Sequence, residues 1–162
     1  METVKPIKRN AAIAEFSRDH HFALLLVWKI REGIKNSVQP ERISNYVLHY
    51  FETELMPHFR AEEEMLYSRI SLRNGLRAQA ETEHAVIYKL IDSLKKNKTD
   101  KNLLQNFADT LEKHVRFEER ELFNFLQENI SETELSAIAS AMKKKEHEAE
   151  SDWKDAFREI KN

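Results

Sequence analysis

The chain has 162 residues and a formal net charge of −2, with 26 basic and 28 acidic side chains mixed along its length; that balance offers nucleic acid no basic field. The absence of cysteine excludes disulfides, thiolate metal ligands and a cysteine nucleophile, and no apolar run approaches the roughly 18 residues of a membrane span. With only 2 glycines and 3 prolines, the composition favours a mostly helical protein over a sandwich or barrel.

The N-terminal stretch METVKPIKRNAAIAEF lacks the apolar segment of a secretory signal, so a soluble cytoplasmic protein is expected. A first helix is expected from about Asn10 to the break SVQP at 37–40, with Leu24, Leu25, Trp28 and Ile34 among its apolar positions. Pro40 suits the first turn of a second helix, which runs from about Glu41 to about Ser68 and carries Ile43, Tyr46, Val47, Tyr50, Phe51 and Leu55. Pro57 lies inside it, removes one backbone donor and predicts a kink rather than a stop.

After SLRNG at 71–75, a third helix extends to about Lys96 with Val86, Ile87, Leu90, Ile91 and Leu94. NKTD at 97–100 leads into a fourth, which ends near Glu128. Ser131 and Glu134 form a Ser-x-x-Glu capping signature that opens a fifth helical segment, whose late half, KKKEHEAESDW, is mostly charged. The expected fold is all-α: an antiparallel up-down four-helix bundle with an additional C-terminal helix. A single domain over 1–162 is expected, with the bundle at about 10–129 and the C-terminal segment at about 131–160.

Two stretches repeat. HFRAEEEMLYSRI from His58 aligns without a gap on HVRFEERELFNFL from His114, matching His58 with His114, Glu62 with Glu118, Glu63 with Glu119 and Tyr67 with Phe123. Asp19-His20 in the first helix aligns in the same way with Glu83-His84 in the third. The chain therefore reads as two related helical hairpins, each giving a histidine from one helix and His-x-x-x-Glu from the next. Residues i and i+4 differ by about 40° around a helix, so each His and Glu share a face.

One His-x-x-x-Glu is ordinarily a surface pair worth about 0.2–0.5 kcal/mol. Two aligned copies flanked by Leu55, Leu66, Leu111, Val115 and Leu122 instead predict an inward face of imidazoles and carboxylates. Buried groups of this kind need partners, and bound divalent metal ions would supply them. A nitrogen-rich set without sulfur suits iron, manganese or zinc better than calcium or magnesium.

RDHH at 18–21, PHFRAEE at 57–63, TEH at 82–84 and HVRFEERELF at 114–123 together resemble the hemerythrin-like (HHE cation-binding) family, over about residues 17–126. The resemblance implies a four-helix bundle around a non-heme di-iron centre, oxo- or hydroxo-bridged, that binds O2 or related small ligands such as NO or peroxide. By position its ligands would be His20, His58, Glu62, His84, His114 and Glu118. Oxygen-carrying members place a further histidine four residues after the third-helix histidine, where this chain has Tyr88, and use a longer His-to-Asp spacing on the last helix. These departures speak against simple oxygen transport: either one metal has an extra open position, or Tyr88 ligates it or hydrogen-bonds to a bound ligand.

Sensing, storage or protection through small-ligand binding is the leading functional expectation. The alternatives using the same site are a di-iron enzyme of peroxidase or oxidase type, an iron-handling or cluster-repair protein, and a signalling module with a mobile fifth helix. Among the other histidines, His21 falls about 100° from His20, His49 is expected on the exposed face opposite His58, and His147 in its charged run is expected to be solvated. Glu63 and Glu119 are candidates to accept hydrogen bonds from ligand histidines, with solvated helix glutamates an equal alternative, and Glu81 is a minor candidate for an extra ligand.

Overall fold

The computed structural model describes residues 9–142, and every regular element among them is helical. Helix α1 is Ala11–Lys35. Helix α2 is one continuous helical run over 40–69: an α segment Pro40–Tyr50, a π turn Phe51–Leu55, an α segment Met56–Ala61, a second π turn Glu62–Leu66 and a closing 3-10 turn Tyr67–Arg69. Helix α3 is Gly75–Lys96. Helix α4 joins Lys101–Phe117, a π turn Glu118–Leu122 and Phe123–Asn129, and α5 is Glu132–Ala141. The late half of the fifth segment, including His147, lies outside the described residues.

Local chemistry sets these boundaries. The side chains of Asn10, Asn74, Asp100 and Ser131 accept hydrogen bonds from the first-turn amides of α1, α3, α4 and α5, each such cap contributing about 1 kcal/mol. Glu134 supplies the amide that Ser131 caps, at 3.2 Å. Helix α2 begins instead with Pro40, whose missing amide costs nothing at that position. Helix α1 ends when Ser37 turns to a φ of 59°. The Val38 amide then bonds to the Gly33 carbonyl at 2.9 Å and that of Ser37 to Ile34 at 3.1 Å, which closes the helix end.

Pro57 does not stop α2. The π turn Phe51–Leu55 just before it is closed by a bond from the Met56 amide to the Phe51 carbonyl, five residues back. A widened turn next to a proline accommodates the lost amide and its ring without ending the helix. The extra residue also changes the phase of what precedes it. His49 and His58 are about 180° apart on a regular helix but only about 80° apart once one residue is taken up in a π turn. His49 is accordingly half-buried rather than exposed.

Helix α1 packs most extensively on α4, α3 also packs on α4, and α5 lies against α1. The interior has two apolar regions. One contains Leu26, Val27 and Ile30 of α1, Val47 and Phe51 of α2, Ile87 and Ile91 of α3, and Leu104, Phe107 and Leu111 of α4. The other contains Ile13 and Phe16 of α1, Leu66 and Ile70 of α2, Ala80 of α3, Leu122 and Leu126 of α4, and Leu135 and Ile138 of α5. In each of α1 to α4 the buried histidines and glutamates fall between the residues named from these two sets. Of the apolar positions read from the sequence, Trp28 and Val86 are 51% and 42% exposed. The buried stripe of α1 is Ala23, Leu26, Val27 and Ile30, one step round from Leu24, Leu25 and Trp28.

Candidate metal centre

Between the two apolar regions lie His20 of α1, His58 and Glu62 of α2, His84 of α3, and His114 and Glu118 of α4, each no more than 3% exposed. Their ligand-type atoms form two groups, one of His20, His58, Glu62 and Glu118 and the other of His84, His114, Glu62 and Glu118. Within each group these atoms all lie within 4.8 Å of one another. The two glutamates belong to both groups and each histidine to one.

The spacings fit coordination. At bond lengths of about 2.1 Å, adjacent ligand atoms round a metal stand about 3.0 Å apart and opposite ones about 4.2 Å. Here His114 Nε2 is 2.9 Å from Glu118 Oε1, His20 Nε2 3.2 Å from Glu118 Oε1, and His58 Nε2 3.2 Å from Glu62 Oε2. His84 Nε2 is 3.2 Å from Glu62 Oε1 and 3.1 Å from His114 Nε2. Two imidazole nitrogens facing each other at that distance need either a proton or a metal ion between them. Moreover, His58 Nε2 and Glu62 Oε2 are buried without a hydrogen-bond partner. Buried polar atoms left in this way are costly, and a shared cation satisfies both.

Each imidazole presents Nε2 inward and bonds to a carboxylate through Nδ1. His20 reaches Glu119 at 2.7 Å, His58 reaches Asp19 at 2.8 Å, His84 reaches Glu63 at 3.2 Å and His114 reaches Glu83 at 2.7 Å. Such partners fix the tautomer, aim the ring and raise its basicity. The pattern follows the sequence duplication. His58–Asp19 and His114–Glu83 are matched bonds within each hairpin, and His20–Glu119 and His84–Glu63 are matched bonds between hairpins.

Glu63 and Glu119 thus act as acceptors. The aligned Asp19-His20 and Glu83-His84 pairs held the signal for the other two acceptors, because each acidic residue precedes a ligand-type histidine at the same step. Charge follows from this arrangement. Burial works against the His20 imidazolium, yet hydrogen bonds with Glu118 and Glu119 and the nearby Glu62 carboxylate raise its pKa well above the usual value. Burial likewise opposes ionisation of Glu62, but the neighbouring charge of His58 and the imidazoles of His20, His58 and His84 close around it hold its carboxyl well below the usual range. His114 is pushed up to about 10, the charge of Glu118 and bonds to Glu118 and Glu83 outweighing its burial.

The phenol at the cluster is Tyr67, not Tyr88. The Tyr67 hydroxyl donates to Glu118 Oε2 at 2.5 Å and lies 3.2 Å from His84 Nε2. Burial, with the charges of Glu62 and Glu118, pushes its pKa well up, so it remains a donor. Tyr88 is half-buried one layer out, its ring edge-on to Phe51 and Phe59, and Phe59 is the ring that stacks on His84 at 4.0 Å.

A π turn explains why Tyr67 escapes sequence reasoning. On a regular helix it would lie about 140° from Glu62, but one residue taken up in the turn reduces this to about 40°. The turn Glu62–Leu66 is closed by a bond from the Tyr67 amide to the Glu62 carbonyl, and Glu118–Leu122 by the equivalent bond from Phe123 to Glu118. Phe123 therefore also faces the cluster and stacks on His20, with ring centroids 5.1 Å apart and planes 5° from parallel. The minor candidates stand apart: His21 is exposed against Phe22, and Glu81 pairs with Arg77 on the surface.

A helical bundle with buried, carboxylate-bridged groups of histidine and glutamate is the frame of a metal-binding protein. Residues 11–126 match the family model described as the hemerythrin HHE cation binding domain, and the chain belongs to that family. No curated protein and no solved structure matches it. Among the described residues no helix is long and apolar enough to cross a membrane.

Proposed function

We propose that the protein holds two iron ions in this cluster and takes up a small ligand there (O2, NO or peroxide) for sensing, storage or protection. The observation that carries the reading is the sharing of Glu62 and Glu118 between two groups that each have two histidines of their own. In this reading, His20 and His58 hold one ion, His84 and His114 the other, and the two carboxylates bridge them. Iron would supply reversible redox chemistry and a position open to exchange. Manganese or zinc suits the same donors less distinctively.

The chain's own residues prepare that chemistry. The Nδ1 acceptors keep all four Nε2 atoms aimed inward, and the apolar layers on either side exclude water and retain reactive species. The bundle we infer is an up-down arrangement of α1 to α4. In support, the order in which each chain segment passes the two apolar regions reverses from one helix to the next. A single hemerythrin-like domain with α5 docked on α1 accompanies this reading.

The test is elemental analysis of protein from iron-replete expression, with absorption spectra in air and after reduction. About two irons per chain and an oxo-bridged ferric absorption that responds reversibly to O2 are expected. Irreversible oxidation with turnover of peroxide would move the protein to the enzyme class, and no more than trace metal would remove the proposal.

The outer carboxylates yield a separate expectation. Asp19→Asn removes the charged acceptor of His58 while keeping its shape. Metal affinity should fall by about 10–100-fold, as is usual when such a partner is lost. Competition with a chelator of known affinity measures this, and an unchanged affinity would leave Asp19 without that role.

A further inference from the structure

The duplication makes the two halves of the cluster nearly equivalent in histidines, so any functional difference between them must come from what breaks the match. Two features break it, and both fall on the His84 side.

The first is how the two bridging carboxylates are used. Glu62 gives one oxygen to each half: Oε1 faces His84 at 3.2 Å, and Oε2 faces His58 at 3.2 Å and His20 at 3.5 Å. Glu118 instead turns a single oxygen to both halves, Oε1 standing 2.9 Å from His114 and 3.2 Å from His20. Its Oε2 is occupied by the Tyr67 hydroxyl. At the matching position in the other repeat, Phe123 has no hydroxyl to offer.

The second is the outer carboxylates. Glu119, behind His20, is also held by Ser17 at 2.8 Å and by Arg9. Its counterpart Glu63, behind His84, is 39% exposed and is held by His84 among the described residues. The His84 ring thus has the looser and more solvent-accessible support.

We propose that Tyr67 assigns ligand uptake to the His84–His114 half: in the ligand-free cluster its hydroxyl holds Glu118 Oε2 back from that half, and, standing 3.2 Å from His84 Nε2, it turns its one proton to a small hydrogen-bond-accepting ligand when that ligand binds there. This rests on the two-metal reading above. Tyr67 is a positioning residue for Glu118 and a direct contact for the ligand. Both roles predict the same sign, because removing the hydroxyl deletes a donor to the ligand and leaves Glu118 Oε2 unrestrained beside that half, where it would compete with the ligand.

The experiment titrates azide, a small anionic acceptor, into oxidised iron-loaded full-length protein and its Tyr67→Phe and Tyr88→Phe variants. Affinity is read from the azide-to-iron absorption, and iron content and helical circular dichroism are measured on the same samples. Tyr67→Phe is expected to keep its iron and bind azide about tenfold more weakly, the effect of one lost hydrogen bond to a charged group. Tyr88→Phe is expected to match the parent protein. Azide should also perturb the ultraviolet band of a tyrosine in the parent and in Tyr88→Phe, a readout that stands even where Tyr67→Phe does not fold. Unchanged azide affinity in iron-loaded Tyr67→Phe, an equal loss in Tyr88→Phe, or no tyrosine perturbation in the parent overturns the proposal. A parent protein without iron overturns the metal reading itself and shows as missing metal rather than altered affinity.

Discussion

Glu62→Ala is expected to empty both halves of the cluster, whereas His58→Ala empties one. Glu62 belongs to both groups of ligand-type atoms and gives a separate oxygen to each, while His58 belongs to a single group. Elemental analysis should therefore find close to no iron in Glu62→Ala and about half the parent amount in His58→Ala. Metal-free protein should feel the loss too. His20, His58 and His84 all face the Glu62 carboxylate, and removing one member of a buried charge cluster costs about 3–5 kcal/mol because the remaining charges lose their compensation. Glu62→Gln separates the two effects, since it keeps the volume and removes the charge. Full iron occupancy in Glu62→Ala would show that these side chains are not the metal site.

The helices and the six clustered residues were legible in the sequence for one reason: both depend on regular helix period. The breaks SVQP, SLRNG and NKTD, the proline at 40 and the Ser131 cap put the boundaries within a residue or two of their observed places. His58 and Glu62, like His114 and Glu118, lie four residues apart, each pair ending where a π turn begins, so a 100° step per residue places them correctly. What lies across a π turn was not legible. Tyr67 lies beyond one such turn from His58 and Glu62, and His49 lies before another; each is displaced by one residue's rotation from where the period puts it. Nothing in FETEL or EEEML shows by composition that the ladder closes five residues back rather than four.

Tyr88 was selected because it occupies a position where related proteins carry a histidine, and position along a helix says little about depth. Phe59 stands between the Tyr88 ring and the cluster, in edge contact with one and stacked on His84. The exposed Trp28 teaches a related lesson. It is the largest apolar side chain in its stretch of α1, yet the neighbouring Lys29 is the one turned inside, its ammonium 3.1 Å from the Tyr46 hydroxyl and set over the Tyr46 ring. A buried partner decided that phase, and partners on another helix are invisible to a local pattern.

Removing the metal should lower thermal stability by a large margin, and the margin should widen as pH rises. A ligand that binds only the folded state at 100 times its dissociation constant adds about 2.7 kcal/mol. Two ions would together add about 5 kcal/mol, or about 10–20 °C of melting temperature for a chain of this size. The pH dependence follows from the raised imidazoles. In metal-free protein the His114 pKa is pushed up to about 10 from the usual 6.5. Its protonated form therefore contributes stability that is complete below about pH 6.5 and is lost as pH rises toward 10. Metal requires the same imidazole without its proton, so binding must displace protons at low pH and meets less competition at high pH. Melting curves of loaded and chelator-stripped protein at pH 6, 7 and 8 are expected to diverge progressively. Coincident curves for samples shown to differ in iron content would mean that the metal sits elsewhere than between the two apolar layers, because an ion bound there links all four helices that contribute to the cluster.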